Sequence, residues 1–330
     1  MLRRRLLATV LIAAGLLVAC DRTSSDSPPA ATRPAPRLTT RPAASTAPAA
    51  LEFRDWVRDP AVHPDEEDSP PMRIVSAAPS ITEIACALGL RAYIVGRTRF
   101  CLYPPEVLDV PSIGALVDVN VEAVLALRPD LVLISGPSQA LTERLKPLGL
   151  RLESVPDESL EDLFVAIGRI GEWTGRPRTA RRLIQQVRSE LDEATRRCRG
   201  ETSPAVLMVT GTLADPPTPP FVAGPRSFYD DLLRRMGARN AAAAGRAFGP
   251  LSLEYIVNAD PDVIVELDPD GSARAGGDAD ARRVWAKVGV LRAVRTQRVH
   301  VLTGPLYYLN SPRVATVYWE LCRAVHRAAP

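Results

Sequence analysis

Val119-Asn120-Val121-Glu122-Ala123-Val124-Leu125-Ala126-Leu127-Arg128-Pro129-Asp130-Leu131-Val132 returns without a gap as Leu251-Ser252-Leu253-Glu254-Tyr255-Ile256-Val257-Asn258-Ala259-Asp260-Pro261-Asp262-Val263-Ile264. Each copy reads as a capping residue (Asn120, Ser252) and a short helix with a glutamate in its first turn (Glu122, Glu254). A Pro-Asp break and an apolar strand follow. One copy falls in each half of the chain, so the sequence predicts an α/β protein of two similar lobes.

The same alternation extends outward from the first copy. Residues 73–76 read as a strand. Ser80 with Glu83 three residues on has the capping-box spacing, Ile81, Ile84, Ala85 and Leu88 give one apolar helix face, and Gly89 ends it. Residues 93–96, 131–135 and 152–155 read as further strands, with helical patterns between the later ones. In the second half, residues 205–210, 263–267 and 299–303 are strand-like. Helices are predicted over 227–236, after Ser252, and over 312–327, the last with Ser311 as cap and Pro312 in its first turn. Between the halves, 177–198 holds no glycine or internal proline, and Leu183, Ile184, Val187 and Leu191 form a helical stripe. A helix of that length is a rod of roughly 33 Å, stiff enough to join two lobes and hold their spacing.

The N-terminus has a different character. Arg3-Arg4-Arg5 precedes an apolar run over 6–19, which is shorter than the roughly 20 residues that a membrane span needs. It reads as a secretory signal. Its end, Leu17-Val18-Ala19-Cys20, resembles the lipobox of bacterial lipoproteins, which implies lipidation at Cys20 after cleavage. Residues 22–50 are mostly Ala, Pro, Ser and Thr and carry too little apolar surface to fold. The expected organisation is a signal peptide at 1–19 and a lipidated cysteine with a disordered tether at 20–70. A first lobe at 71–176, a connecting helix at 177–199 and a second lobe at 200–330 complete it. The tract His63-Pro64-Asp65-Glu66-Glu67-Asp68 reads as a solvated acidic run before the folded body rather than a metal site.

The chain has 330 residues and 41 Lys+Arg against 38 Asp+Glu. Removing the three leader arginines leaves 38 basic against 38 acidic residues, so the mature chain is near neutral. That argues against a broad phosphate-binding face and so against nucleic acid as main partner. No CxxC or zinc spacing links Cys86, Cys101, Cys198 and Cys322; export permits disulfides, but the sequence does not pair them.

Taken together, several segments resemble the periplasmic solute-binding proteins of iron-chelate and vitamin B12 ABC importers. These are 73–83 (Arg-Ile-Val-Ser-Ala-Ala-Pro-Ser-Ile-Thr-Glu), Tyr103-Pro104-Pro105-Glu106, Asn120 to Glu122 with 129–132, and Ser311-Pro312-Arg313. The resemblance covers about 72–327, and the Tyr-Pro-Pro-Glu segment is most similar to the cobalamin-binding branch. It implies two Rossmann-like lobes joined by one long helix, with the ligand in the cleft between them. It also implies that Glu122 and Glu254, one per lobe, dock into arginine pockets of the membrane permease. Phe100 and Phe248 align with aromatic cleft positions of the B12-binding branch, and Tyr103, Tyr307 and Tyr308 lie in neighbouring loops; flat rings suit a broad, mostly apolar macrocycle. Two features of the family are missing. No tryptophan stands near Ala115 or Gly136, and no cysteine stands near Met236 to pair with Cys322.

The expected function is a substrate-binding lipoprotein that hands cobalamin or a related corrinoid to an ABC permease. It would be held at a membrane by its lipid anchor on the extracytoplasmic side, with no cofactor or metal of its own. An iron-siderophore or haem ligand is the alternative, with Arg97, Arg99 and Arg226 available for a siderophore and Tyr307 for haem iron. A sensor without a permease is a further class. An exported enzyme is disfavoured: there is no G-x-S-x-G elbow, HExxH or glycine-rich dinucleotide loop. The histidines are His63, His300 and His326, too few for a bare zinc receptor, and His300 sits in a predicted strand.

Overall fold

The computed structural model describes residues 72–326 except 116, 117, 137 and 199–201. Cys20, the leader, the tether and the acidic tract at His63 lie outside the described residues. The first lobe runs β1 (Ile74–Ser76), α1 (Pro79–Ala87), β2 (Ile94–Arg97), α2 (Val121–Ala126), β3 (Leu131–Ser135), α3 (Gln139–Leu145), β4 (Leu152–Val155) and α4 (Leu160–Trp173). Its strands pair in the order β2-β1-β3-β4, all parallel. A parallel sheet is covered on both faces, and Ile74, Val75 and residues 131–134 are accordingly buried.

Helix α5 (Pro177–Cys198) follows, with Ala180, Leu183, Val187, Leu191 and Ala194 buried along one stripe. It packs against α4 on one side and against the C-terminal helix on the other. The second lobe runs β5 (Ala205–Val209), β6 (Phe221–Ala223), α6 (Phe228–Arg235), β7 (Arg239–Asn240), β8 (Phe248–Pro250), α7 (Leu253–Ala259), β9 (Val263–Asp268), α8 (Asp278–Trp285), α9 (Arg292–Arg295), β10 (Val299–Thr303) and α10 (Val314–His326). Its order is β10-β9-β5-β6-β8, with β7 also on β5. Strands β6 and β8 pair antiparallel, so the second sheet is mixed.

The duplication seen in the sequence is reproduced bond by bond. Asn120 accepts from the Ala123 amide and Ser252 from the Tyr255 amide, the same position in each helix. Arg128 and Asp260, the residues before the two Pro-Asp breaks, both take positive φ, +44° and +38°. Asp130 accepts from the Arg73 amide at 2.7 Å, and Asp262 accepts from the Ala205 amide at 2.8 Å, each closing the start of the neighbouring central strand. Ile74 pairs with Leu131 and Val206 with Val263, so the matching register spans β1–β3 and β5–β9.

Two expectations are corrected. Ser80 does not cap α1. The helix starts at Pro79 behind Ala78, and no side chain caps it. Glu83 is instead buried and directed toward Arg313. Cys322 is not left without a partner: it is bonded to Cys198, tying the end of α5 to α10 across 124 residues. The pairing partner comes from the connecting helix, so no cysteine near Met236 is needed; the Met236 carbonyl instead contacts His326 Nε2 at 2.9 Å. Cys86 and Cys101 are free and buried.

One continuous apolar core runs from β1 and α1 through α4, α5 and α10 to β5, α6 and β9. Polar bonds pin the lobes together beside it. The Phe228 amide donates to Glu158 O at 2.6 Å, the Leu160 amide to Asp231 at 2.9 Å, and Asn310 Nδ2 to Ser159 O at 2.7 Å. The lobes thus share one continuous base.

Candidate ligand-binding crevice

Four of the five sequence-predicted aromatics stand in segments that leave the carboxyl ends of parallel strands, the side on which open α/β sheets take ligands. Phe100 and Tyr103 follow β2, and Tyr307 and Tyr308 follow β10. Phe248 is not in a loop, as expected, but opens the short strand β8. Tyr103, Phe248, Tyr307 and Tyr308 are all half-buried against the core shared by the two lobes. Phe100 is 46% exposed and does not join that packing; the Arg99 guanidinium lies 5.0 Å from its ring.

On the second lobe, the wall is built around Tyr229, a buried residue of α6 that sequence reasoning missed. Its ring meets Phe248 edge-to-face at 6.3 Å, and its hydroxyl donates to Tyr307 O. Tyr308 OH donates to Leu267 O at 2.8 Å, near the end of β9. Burial pushes the phenols of Tyr229, Tyr307 and Tyr308 up from their ordinary range, so all three are held neutral. They are flat, protonated surfaces, and Tyr229 and Tyr308 spend their hydroxyls on backbone carbonyls.

The two lobes also meet through charge. Glu83 of α1 is 1% exposed and accepts from Arg313 Nε at 2.9 Å and from Arg313 Nη2. The guanidinium also lies 3.8 Å from the Tyr103 ring centroid. Arg313 is therefore held between a buried carboxylate of one lobe and an aromatic face of the same lobe, while its own backbone belongs to the other. Both residues fall in the motifs at 73–83 and 311–313, but 230 residues separate them and nothing local signals their pairing.

The three arginines considered for a siderophore are not equivalent. Arg97 is buried, with its guanidinium on the carbonyls of Val107, Thr98 and Leu108 at 2.7–3.1 Å, so it serves the loop and is unavailable to a ligand. Arg99 and Arg226 are exposed. His300 lies in the edge strand β10 with Nδ1 3.0 Å from Asp278. A separate groove of about 380 Å³ on α5 is lined by Arg178, Arg181, Arg182 and Gln185 and shares no residue with the aromatic set. Glu122 and Glu254 are both exposed, in the first turns of α2 and α7.

A family model described as periplasmic binding protein matches residues 74–306. The chain belongs to the periplasmic binding protein family. The ABC transporter substrate-binding lipoprotein YvrC of Bacillus subtilis (strain 168) is 31% identical over 78% of this chain and 80% of its own. A vitamin B12-binding protein of Salmonella paratyphi A is 24% identical over 77% of this chain and 90% of its own. Among solved structures, the periplasmic heme-binding protein RhuT from Roseiflexus sp. RS-1, in apo form, is 31% identical with a TM-score of 0.68, covering 79% of this chain and all of that one (100%). The two-lobe architecture is the fold of this family, and its members found here are solute-binding transport proteins rather than enzymes. The chain is accordingly a substrate-binding protein of the ABC-transporter type.

Proposed function

We propose that the chain is an extracytoplasmic lipoprotein that holds cobalamin or a related corrinoid between its lobes and delivers it to an ABC permease. The observation that carries the ligand class is the aromatic surface on both sides of the seam. Tyr103 is backed by Arg313, itself held by Glu83; Phe248 and Tyr307 are held by Tyr229, and Tyr308 by its bond to Leu267 O. Rings fixed from behind cover a broad apolar guest at little entropic cost. Phe100, exposed at the mouth, closes over the guest from the first lobe. The vitamin B12-binding relative supports the same ligand class.

Export and lipidation at Cys20 follow from the leader, with residues 20–70 as tether. Glu122 and Glu254 are the permease contacts, one from each copy of the duplicated helix.

A haem ligand is the second reading, favoured by the identity with RhuT. Iron ligation by Tyr307 would replace its phenolic proton, so haem binding, unlike corrinoid binding, would depend on that hydroxyl. Absorbance titration of the purified protein with cyanocobalamin, haemin and a ferric siderophore tests the choice. Saturation at one cyanocobalamin per chain supports the corrinoid reading. Saturation by haemin alone, with a Soret shift abolished in Tyr307→Phe, establishes the second.

A further inference from the structure

Among the described residues, seven large apolar side chains are exposed, and the two carried on α-helices are Leu125 of α2 and Val257 of α7, at 40% and 41%. Isolated exposed aliphatics are ordinary. Here, though, the two occupy the same position in the two copies of the duplicated stretch. Each stands three residues after its glutamate, Glu122 or Glu254, and so on the same side of its helix.

Neither side chain belongs to a buried core cluster. The core contact of α2 is made by Val124 and that of α7 by Ile256, each one residue earlier. In the second lobe the apolar patch is wider. Gly289 lies against Val257, close enough that a Cβ there would stand 3.4 Å from Val257 Cγ2, and the next residue, Val290, is 80% exposed.

We infer that Leu125 and Val257, the latter with Val290, are the apolar halves of two equivalent docking points for the importer's two-fold permease. The inference rests on the reading of this chain as an importer's binding protein. Each point offers a carboxylate beside an aliphatic side chain, so the matching surface is a cation next to an apolar recess. A protein with a two-fold axis presents such a surface twice. The aliphatic contact excludes water from the ion pair and adds buried area that an exposed carboxylate cannot supply.

The test uses the full lipidated chain in cells of its own source, with a photoreactive phenylalanine analogue at Ala126 or Asn258, exposed neighbours at matching positions. Adducts are identified by mass spectrometry, and each variant's thermal melting is recorded. Leu125→Ser and Val257→Ser are expected to lower the yield of permease adduct about tenfold each while melting stays unchanged. Leu148→Ser, equally exposed but outside the duplicated stretch, is expected to change neither. Full adduct yield in both serine variants, with loss in Glu122→Lys and Glu254→Lys, overturns the apolar contact and leaves the importer reading standing. An equal fall in Leu148→Ser overturns it too. Absence of any ABC permease adduct from the unsubstituted surface removes the importer reading itself.

Discussion

Replacing Arg313 by alanine isolates the charge that joins the lobes. Glu83 is 1% exposed, so without the guanidinium its carboxylate is left buried with no counter-ion. Breaking a buried pair from one side costs about 3–5 kcal/mol. For a folded body of this size, each kcal/mol moves the melting temperature by roughly 2–4 °C, so a fall of roughly 6–20 °C is expected. Glu83→Gln is expected to cost less, about 1–3 kcal/mol, because the Arg313 side chain keeps 21% of its surface in water and its stacking on Tyr103. Removing both charges in Glu83→Leu/Arg313→Met is expected to cost less than Arg313→Ala alone, since no uncompensated charge remains. Urea unfolding and calorimetry on the four proteins measure the ordering. A loss under about 1 kcal/mol in Arg313→Ala, or a double variant as unstable as the two singles added together, refutes the reasoning.

Four further outcomes follow from the packing. Reducing the Cys198–Cys322 bond frees a loop of more than a hundred residues and is expected to cost about 4–5 kcal/mol, read as a melting shift with reductant. Burial pushes the Cys86 thiol up to about 12 and raises that of Cys101, so neither is alkylated by iodoacetamide at pH 8 until the protein unfolds. In the second lobe, Glu266 is fully buried and accepts from Arg274 Nε at 2.7 Å, Trp285 Nε1 at 2.9 Å and the Leu213 amide at 2.7 Å. Arg274→Met is expected to lose about 3–5 kcal/mol in urea unfolding without changing ligand affinity. Asp157 has its carboxyl raised, first by burial and then by Glu158 and Asp162, against the hydrogen bond from Ser135. A raised acid destabilises the fold above its folded pKa, and that penalty disappears as pH falls through it. Asp157→Asn should therefore raise the melting temperature at pH 7, with the gain shrinking toward pH 4; a gain independent of pH contradicts this.

What the sequence carried was local and periodic. The stretch at 119–132 and its copy state their caps, first-turn glutamates and buried strands in consecutive residues, and those features survive down to individual hydrogen bonds. The 22-residue helix is legible for the same reason: its stripe repeats at helical spacing. The short antiparallel strands of the second lobe were not. Phe221–Ala223 and Phe248–Pro250 are three residues each, too short for alternation to register, and the latter ends in proline. Ser80 and Glu83 had the spacing of a cap, but the helix starts at Pro79 and the buried Glu83 pairs instead with Arg313 of the other lobe. Contacts between residues far apart in the chain left no trace: Glu83 with Arg313 depends on how the lobes meet, Cys198 with Cys322 on how α10 packs on α5, and Tyr229 behind Phe248 and Tyr307 on how the second lobe folds. The candidate aromatics were thus legible as residue types, while the contacts that hold them in place were not.

The central claim is that a guest sits at the seam and touches both lobes. Amide hydrogen exchange of the full chain, with and without saturating cyanocobalamin, tests it most directly. Added protection is predicted in two separate stretches at once, the loop around Phe100 to Tyr103 and the segments around Phe248 and Tyr307–Tyr308. Protection confined to a single lobe, or to the arginine groove on α5, would contradict the account.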